Sequence, residues 1–141
     1  MARRLSVALC LLVLSLPANA GGDGQIVLHR ALDSHFYVAG AINGIPVVFM
    51  VDTGAARSAL PASVSTRIFK TLKPGGCFVD TSNGRAPCWT AYPNSFELGG
   101  HSITLPNMIV VESTPSPLLG QDVLSRFDID QRGDLFILRL R

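Results

Sequence analysis

The sequence predicts an all-β domain, folded as a compact barrel or sandwich with one or two short helices. Short runs of β-forming residues recur along the chain, and Gly, Asn and Pro residues typical of turns separate them at short intervals. The chain has 141 residues, a length that suits one domain and one hydrophobic core.

The amino terminus has the layout of a signal peptide. Arg3 and Arg4 form a basic start, an apolar run extends from Leu5 to Leu16, and Ala18-Asn19-Ala20 matches an A-x-A cleavage site. The run is too short for an ordinary transmembrane helix. We therefore expect cleavage near Ala20, an exported (periplasmic or secreted) domain of residues 21–141, and no stable membrane span.

Charge gives no support for nucleic-acid binding. Without Arg3 and Arg4 the 12 basic residues fall to 10, which equals the 10 acidic residues, so the exported chain has a formal charge of 0. Residues 21–141 also contain no run of Lys or Arg.

Cys77 and Cys88 are the two cysteines that remain after cleavage. An even pair in an oxidising compartment favours a disulfide, and two free thiols are the alternative. No His lies near either cysteine at the spacing of a metal site, so we expect no metal.

The elements of the first half follow from β-forming runs and turn signals. Asn43-Gly44 is a hairpin signal between two predicted strands, and Pro61 suits the first turn of a short helix in which Val64 and Ile68 share one face. The predicted elements are strands at Ile26 to His29, Ser34 to Ile42, Pro46 to Val51 and Arg57 to Leu60, and a helix at Pro61 to Phe69.

The second half reads as a hairpin, three more extended segments, a helix and a closing hairpin. Ser82-Asn83-Gly84 is the turn of the first hairpin, whose arms extend from Phe78 to Trp89. The remaining elements are strands at Thr90 to Leu98, His101 to Leu105 and Asn107 to Glu112, a helix at Gln121 to Phe127, and strands at Phe127 to Asp130 and Leu135 to Leu140.

Asp52-Thr53-Gly54 directly follows the third predicted strand and occurs once in the chain. The strand delivers a carboxylate onto a turn that we expect Gly54 to make possible through its backbone freedom. Acid proteolysis uses two carboxylates about 3 Å apart that share one proton. One chain supplies one such carboxylate, so the second has to come from another copy, or the motif is not catalytic.

The order of three features resembles the retropepsin-like aspartic proteases, particularly their small exported bacterial members. These features are the stretch Phe49 to Ala55, the flap-like hairpin around Asn83-Gly84, and the run Leu118 to Leu124. The resemblance extends over roughly Ile26 to Leu140. It implies a single-lobed acid protease fold: a closed β-barrel or sandwich with one or two short helices and a flap hairpin.

The resemblance also implies roles for individual residues. Asp52 would be catalytic and would pair with Asp52 of a second chain, and Thr53 would hydrogen-bond across the dimer. Other residues would support the active-site loop (Gly54, Ala55, Leu118, Leu119, Gly120) or form the flap over an extended peptide substrate (Ser82, Asn83, Gly84).

The implied function is that of an exported, homodimeric aspartic endopeptidase. One carboxylate of the dyad would activate a water while the other polarises the scissile carbonyl, without a metal, a nucleophilic Ser or a cofactor. We expect the terminal strand Leu135 to Leu140 at the dimer interface, because family members pair terminal strands there and an unpaired apolar edge invites aggregation. The alternative is a non-catalytic module that binds an extended peptide by strand addition.

Two details stay open in the sequence. If Asn83-Gly84 is a strict two-residue turn, Val79 lies opposite Cys88, whereas a turn centred between Ser82 and Asn83 places Cys77 opposite Cys88. The second register, or a bulge, suits a disulfide. Arg57, three residues after Gly54, is either a contact for an acidic substrate group or a solvated charge.

Overall fold

A computed structural model describes residues 24–141, apart from the side chains of residues 73–75. The predicted signal peptide and its cleavage site at Ala20 lie outside the described residues. Within residues 24–141, no helix has the length and apolar character needed to cross a membrane.

The described chain is built almost entirely of short strands, as the sequence predicts. Both helices are short, and the first begins directly after Pro61, which acts as its N-cap. In chain order the elements are β1 (Gln25–His29), β2 (Tyr37–Ile42), β3 (Ile45–Val51), β4 (Ala59–Leu60), α1 (Ala62–Ile68), β5 (Lys73–Thr81), β6 (Gly84–Ala91), β7 (Phe96–Leu98), β8 (His101–Ser102), β9 (Met108–Val110), β10 (Leu118–Leu119), α2 (Gln121–Leu124), β11 (Phe127–Arg132) and β12 (Leu135–Leu140).

The strands form two sheets. One has the order β1-β12-β11, and the other has the order β5-β6-β9-β4-β10-β3-β2-β7-β8. The all-β prediction with two short helices and a hairpin flap is confirmed. Both sheets are open at their edges, however, so the expected closed barrel is a barrel only in a loose sense.

The hairpin of β2 and β3 is set by its turn and by alternating burial. Asn43 and Gly44 have φ values of 52° and 77°, which is the left-handed conformation that a two-residue hairpin turn needs. Along β3, Val47 and Phe49 are buried while Val48 between them is exposed. Burying the apolar face of β3 fixes its register, and this register determines where residue 52 emerges.

Most of the buried side chains form a single hydrophobic core between the two sheets. The helices pack against this core, α2 through Val123 and Leu124 and α1 through the partly buried Val64 and Ile68. A second, smaller cluster lies beside it and contains Ala59, Cys88, Ile109 and Val111.

Within residues 24–141, the terminal strand Leu135–Leu140 does not have the unpaired edge that was expected from the sequence. Within the chain, β12 is the central strand of its sheet, with β1 on one side and β11 on the other. The backbone N–H and C=O groups of β12 are therefore used inside the chain, and no free edge of this strand remains for a second copy.

The hairpin of β5 and β6, which we call the flap, has its turn centred between Ser82 and Asn83. Thr81 pairs with Gly84, and Cys77 pairs directly with Cys88. The two cysteines form a disulfide with a Cα–Cα distance of 5.0 Å, within the usual range for such bonds. Of the two registers left open by the sequence, the one compatible with the bridge is present.

The disulfide predicts a specific mass change. Intact-mass measurement of the protein from residue 21 onward should show a gain of two hydrogens on reduction, and an alkylating reagent should modify Cys77 and Cys88 only after reduction. Alkylation of both thiols without a reductant would contradict the bridge.

Candidate active site

Asp52 follows the last residue of β3 in the middle of the larger sheet. Its backbone N–H donates to the carbonyl of Leu119 (3.0 Å), and the N–H of Val51 donates to the carbonyl of Phe36 (2.9 Å). Strand β10 (Leu118–Leu119) pairs in parallel with Met50 and Val51. The carboxylate thus leaves the sheet from a point where the backbone is held on both sides.

The side chain of Asp52 is partly exposed and organises the turn that follows it. Its Oδ1 atom accepts a hydrogen bond from the N–H of Gly54 (3.0 Å), and its carbonyl accepts one from the N–H of Ala55 (3.2 Å). Within residues 24–141, no side-chain donor or cation contacts the other oxygen, Oδ2. One carboxylate oxygen is therefore engaged by the loop and the other is available to an external partner.

The start of α2 holds the loop that carries Asp52. The side-chain amide of Gln121 donates to the carbonyl of Thr53 (2.8 Å), and its backbone N–H donates to the carbonyl of Ala55 (2.8 Å). The backbone N–H of Asp122 donates to the carbonyl of Ala56 (3.2 Å). Sequence reasoning gave loop support to Leu118, Leu119 and Gly120, and it assigned no role to Gln121 and Asp122.

A polar network around the buried Ser58 adds further hydrogen bonds between the segment after the Asp52 loop and the start of α2. Both oxygens of the Asp122 carboxylate accept from the N–H of Ser58 (2.9 Å each), and Oδ1 also accepts from the Ser58 hydroxyl (2.7 Å). The Ser58 Oγ atom accepts in turn from the N–H of Gly120 (3.0 Å), and Ser58 is completely buried. Ser58 stands between Arg57 and Ala59, and this local sequence gave no signal for its role. Its pairing partner lies 64 residues away.

Gly120 and Gly54, the two glycines of the site, have different surroundings. A Cβ atom at Gly120 would lie 2.5 Å from the carbonyl carbon of Arg57 and 2.9 Å from the carbonyl oxygen of Ala55, so a side chain there collides with backbone. Gly54 has no positive φ, and a Cβ there would meet only Asp52 Oδ1, at 3.4 Å. The expectation that Gly54 supplies unusual backbone freedom is wrong; its lack of a side chain leaves space beside the carboxylate.

Within the described residues, no hydrogen bond joins the flap tip to the Asp52 loop. Ser82, Asn83 and Gly84 are all exposed. The Thr81 hydroxyl donates to the Gly84 carbonyl (2.7 Å) and accepts from the Asn83 N–H (3.2 Å), so the hydrogen bonds of the tip stay within the hairpin. The sheet order places the flap at one edge, with β5 outermost.

The last candidate residue of the site is Arg57, three residues after Gly54. The guanidinium of Arg57 donates through Nη2 to Asn107 Oδ1, and no carboxylate pairs with it in the described part of the chain. Among residues 24–141, no group of three or more His, Cys, Asp or Glu side chains is arranged to hold a metal ion.

Comparison with known proteins agrees with this geometry. The family model described as "gag-polyprotein putative aspartyl protease" matches residues 38–126, which include β2, β3, the Asp52 loop, the flap and α2. This chain belongs to the retropepsin-like aspartic protease family.

Individual relatives support the same assignment. The crystal structure of a retropepsin-like aspartic protease from Rickettsia conorii is 31% identical, covers 82% of this chain and 89% of its own, and superposes with a TM-score of 0.72. An uncharacterized protein of Rickettsia prowazekii (strain Madrid E) is 31% identical over 121 residues, which are 82% of this chain and 51% of the relative. This chain thus spans about half the length of that relative.

A more distant structure shows the fold alone. The EIAV protease complexed with the inhibitor HBY-793 is 24% identical, covers 67% of this chain and 88% of its own, and superposes with a TM-score of 0.57.

In the loop that precedes β2, the exposed carboxylate of Asp33 accepts two hydrogen bonds from this retropepsin-like chain. The Tyr37 hydroxyl donates to Asp33 Oδ2 (2.5 Å), and the N–H of His35 donates to Asp33 Oδ1 (3.1 Å). The Tyr37 bond, followed by the His35 N–H, lowers the pKa of Asp33 below its ordinary 3.8, and the same bond raises the pKa of Tyr37 above 10.0. The contribution of Asp33 to stability is therefore fully present above pH 3.8 and is lost as the pH falls through the lowered pKa.

The glycine geometry predicts effects of different size for one added methyl group at Gly120 and at Gly54. Gly120→Ala should lower the free energy of unfolding by about 3 kcal/mol or more, because the Cβ overlaps backbone atoms that cannot move aside. Gly54→Ala should change it by less than about 1 kcal/mol, since its backbone conformation and space allow a methyl group. Urea unfolding of both variants beside wild type measures this. Equal destabilisation of the protein by the two substitutions would contradict the close backbone approach at Gly120.

The Asp33 contacts predict a titration change. Tyr37→Phe should raise the pKa of the Asp33 carboxyl toward 3.8, because the hydrogen bond that lowers this pKa most is lost. An NMR pH titration of the carboxyl carbon reports this directly, with the Asp134 carboxyl as an internal control. An unchanged Asp33 titration would mean that the Tyr37 bond is absent in solution.

Proposed function

We propose that this protein is an exported aspartic endopeptidase whose active site forms from Asp52 of two copies of the chain. The observation that carries the proposal is the Asp52 loop itself. It presents one partly exposed carboxylate at the end of a central strand, with Oδ1 held by Gly54 N–H and Oδ2 available. Membership of the retropepsin-like family supports a protease fold around it.

A second copy is required by the chemistry. Hydrolysis by carboxylates uses a pair about 3 Å apart, in which one group is ionised and the other protonated because two adjacent charges repel. The described chain offers no second carboxylate in contact with Asp52. Homodimerisation supplies the missing group with the same geometry, since a two-fold axis makes each Asp52 the neighbour of the other.

Catalysis would then proceed by general acid–base chemistry. The ionised carboxylate takes a proton from a water, whose oxygen attacks the carbonyl carbon of the scissile peptide bond. The protonated carboxyl donates to the carbonyl oxygen and stabilises the tetrahedral intermediate. When the C–N bond breaks, the carboxyl group that took the water's proton passes it to the departing nitrogen. A hydroxyl of the tetrahedral intermediate gives its proton to the other carboxylate as the new carboxylic acid forms, so the dyad again holds one proton on two groups.

The remaining site residues fit supporting roles in this proposal. Thr53, which is exposed between Asp52 and Gly54, would hydrogen-bond to the second copy. Ser82, Asn83 and Gly84 at the flap tip are exposed and free to close over an extended peptide, which would exclude water from the dyad. The disulfide at the flap base is compatible with an oxidising compartment and hence with export.

The proposal predicts complete dependence on one carboxylate. Asp52→Asn should abolish cleavage of a peptide library assayed from acidic to neutral pH, because the amide can neither take a proton from water nor share one. Glu97→Gln, which neutralises an exposed carboxylate on β7, should cleave like wild type.

The same assay separates the competing functions. Cleavage by Asp52→Asn at the wild-type rate would refute the catalytic assignment. Tight peptide binding without cleavage by wild type, across the whole pH range and at concentrations where sedimentation shows a dimer, would favour the non-catalytic peptide-binding module. Cleavage by a strict monomer would refute the two-chain dyad.

A further inference from the structure

The segment between β1 and β2, residues 31–35, forms a tight loop with an exposed leucine at its tip. The N–H of Ala31 donates to the carbonyl of His35 (2.8 Å), and the N–H of Ser34 donates to the carbonyl of Ala31 (2.9 Å). Ser34 has a φ of 71°, an uncommon conformation for a residue other than Gly. Leu32 keeps 108% of the reference exposure of its residue type.

Arg30 fastens this tip loop to the rest of the fold. Its guanidinium donates to Asp134 Oδ1 (3.1 Å), to the carbonyl of Gly133 (2.8 Å) and to the carbonyl of Ser34 (3.1 Å). The same group lies 4.7 Å from the ring centroid of Phe36, a cation–π distance. The tip loop is thus attached to the turn between β11 and β12 and to the core beneath it.

Single exposed leucines are common on protein surfaces and need no partner. Leu32 differs because its loop is held by backbone bonds, by Arg30 and by the Asp33 contacts with Tyr37 and His35. A side chain on an already ordered loop loses little conformational entropy on binding, so its burial yields more affinity than the burial of a mobile side chain.

The tip loop lies at the catalytic end of the β2–β3 hairpin. Tyr37, the first residue of β2, pairs with Met50, and the carbonyl of Phe36 accepts from the N–H of Val51. Because the strands are antiparallel, β2 begins where β3 ends, and Asp52 is the next residue of the chain. Residues 31–35 therefore flank the point from which Asp52 emerges.

We propose that the tip loop, with Leu32 as its apolar contact, is part of the surface that binds a second copy of this chain. The inference rests on the proposed function: a dyad brings two copies together at the Asp52 end, so exposed elements that flank this end come closest to the partner. Strand β12 offers no free edge to a partner, because both its edges are paired inside the chain.

The free edge of β11 is a poorer candidate for this interface. It carries Asp128, Asp130 and Arg132, and both carboxylates already pair inside the chain, Asp128 with Arg141 (2.7 Å) and Asp130 with Arg132 (2.7 Å). Charged side chains of this kind are typical of edges that avoid pairing with another strand.

Sedimentation of Leu32→Asp against wild type tests the proposal, with Ile129→Asp on β11 as the matched control. Both substitutions place a carboxylate at an exposed apolar position, so neither is expected to unfold the chain. Leu32→Asp should raise the dimer dissociation constant about tenfold or more. Its cleavage rate per chain should fall at low protein concentration and recover at high concentration, with an unchanged KM. Ile129→Asp should match wild type in both measurements.

Three other outcomes of these measurements would each contradict a different part of the proposal. An unchanged dissociation constant for Leu32→Asp with a raised KM would mean that the tip loop contacts the peptide substrate instead. A loss of dimer in Ile129→Asp but not in Leu32→Asp would place the interface at the β11 edge. Wild type that is monomeric and inactive at every concentration would refute the proposed function itself rather than this contact.

Discussion

The hydrogen bonds between the Asp52 loop and the segment from Leu119 to Asp122 are the constraint on which the site depends. Leu119 accepts from Asp52, while Gln121 and Asp122 donate to the carbonyls of Thr53, Ala55 and Ala56. A typical bond of this kind contributes about 1 kcal/mol net. Their combined effect is to make one rigid unit from two segments more than 60 residues apart in sequence. Close approach is possible because Gly120 has no side chain to separate them.

The polar network of Ser58 and Asp122 is compatible with a small core because its polar groups have hydrogen-bond partners. Buried polar groups destabilise a fold when they lack partners, and every buried side-chain polar atom of the described residues has one. The network fixes the start of β4 and the start of α2 relative to each other. The flap is attached to the same region, because Cys77 and Cys88 belong to the cluster that contains Ala59 and Leu118. Its base therefore packs next to the site, while the hydrogen bonds of its exposed tip stay within its own hairpin.

Sequence patterns predicted those parts that local chemistry determines. Asn43-Gly44 predicted the β2–β3 hairpin, and the apolar run before Asp52 predicted the strand that delivers it. The failures have a common physical origin, since they concern contacts between distant segments. The pairing of β12 with β1 depends on which strands meet in space, and no local pattern records it. Gly54 was expected to relieve backbone strain, whereas the crowded glycine is Gly120, and only the path of residues 55–57 reveals this.

The position of β12 also bears on how a second copy can associate. A terminal strand that joins a partner's sheet contributes a continuous ladder of backbone hydrogen bonds to a dimer. In this chain β1 and β11 already satisfy both edges of that strand, so its ladder stabilises the monomer instead. A dimer that forms around Asp52 must then depend more on side-chain contacts, and such interfaces obtain most of their affinity from a few well-ordered anchors. The fixed loop that carries Leu32 has the properties of such an anchor, and its attachment through Arg30 to the β11–β12 turn links it to the same sheet. The loop beside Asp52 therefore depends on the three-stranded sheet for its position, because Arg30 holds it to the turn that joins β11 and β12.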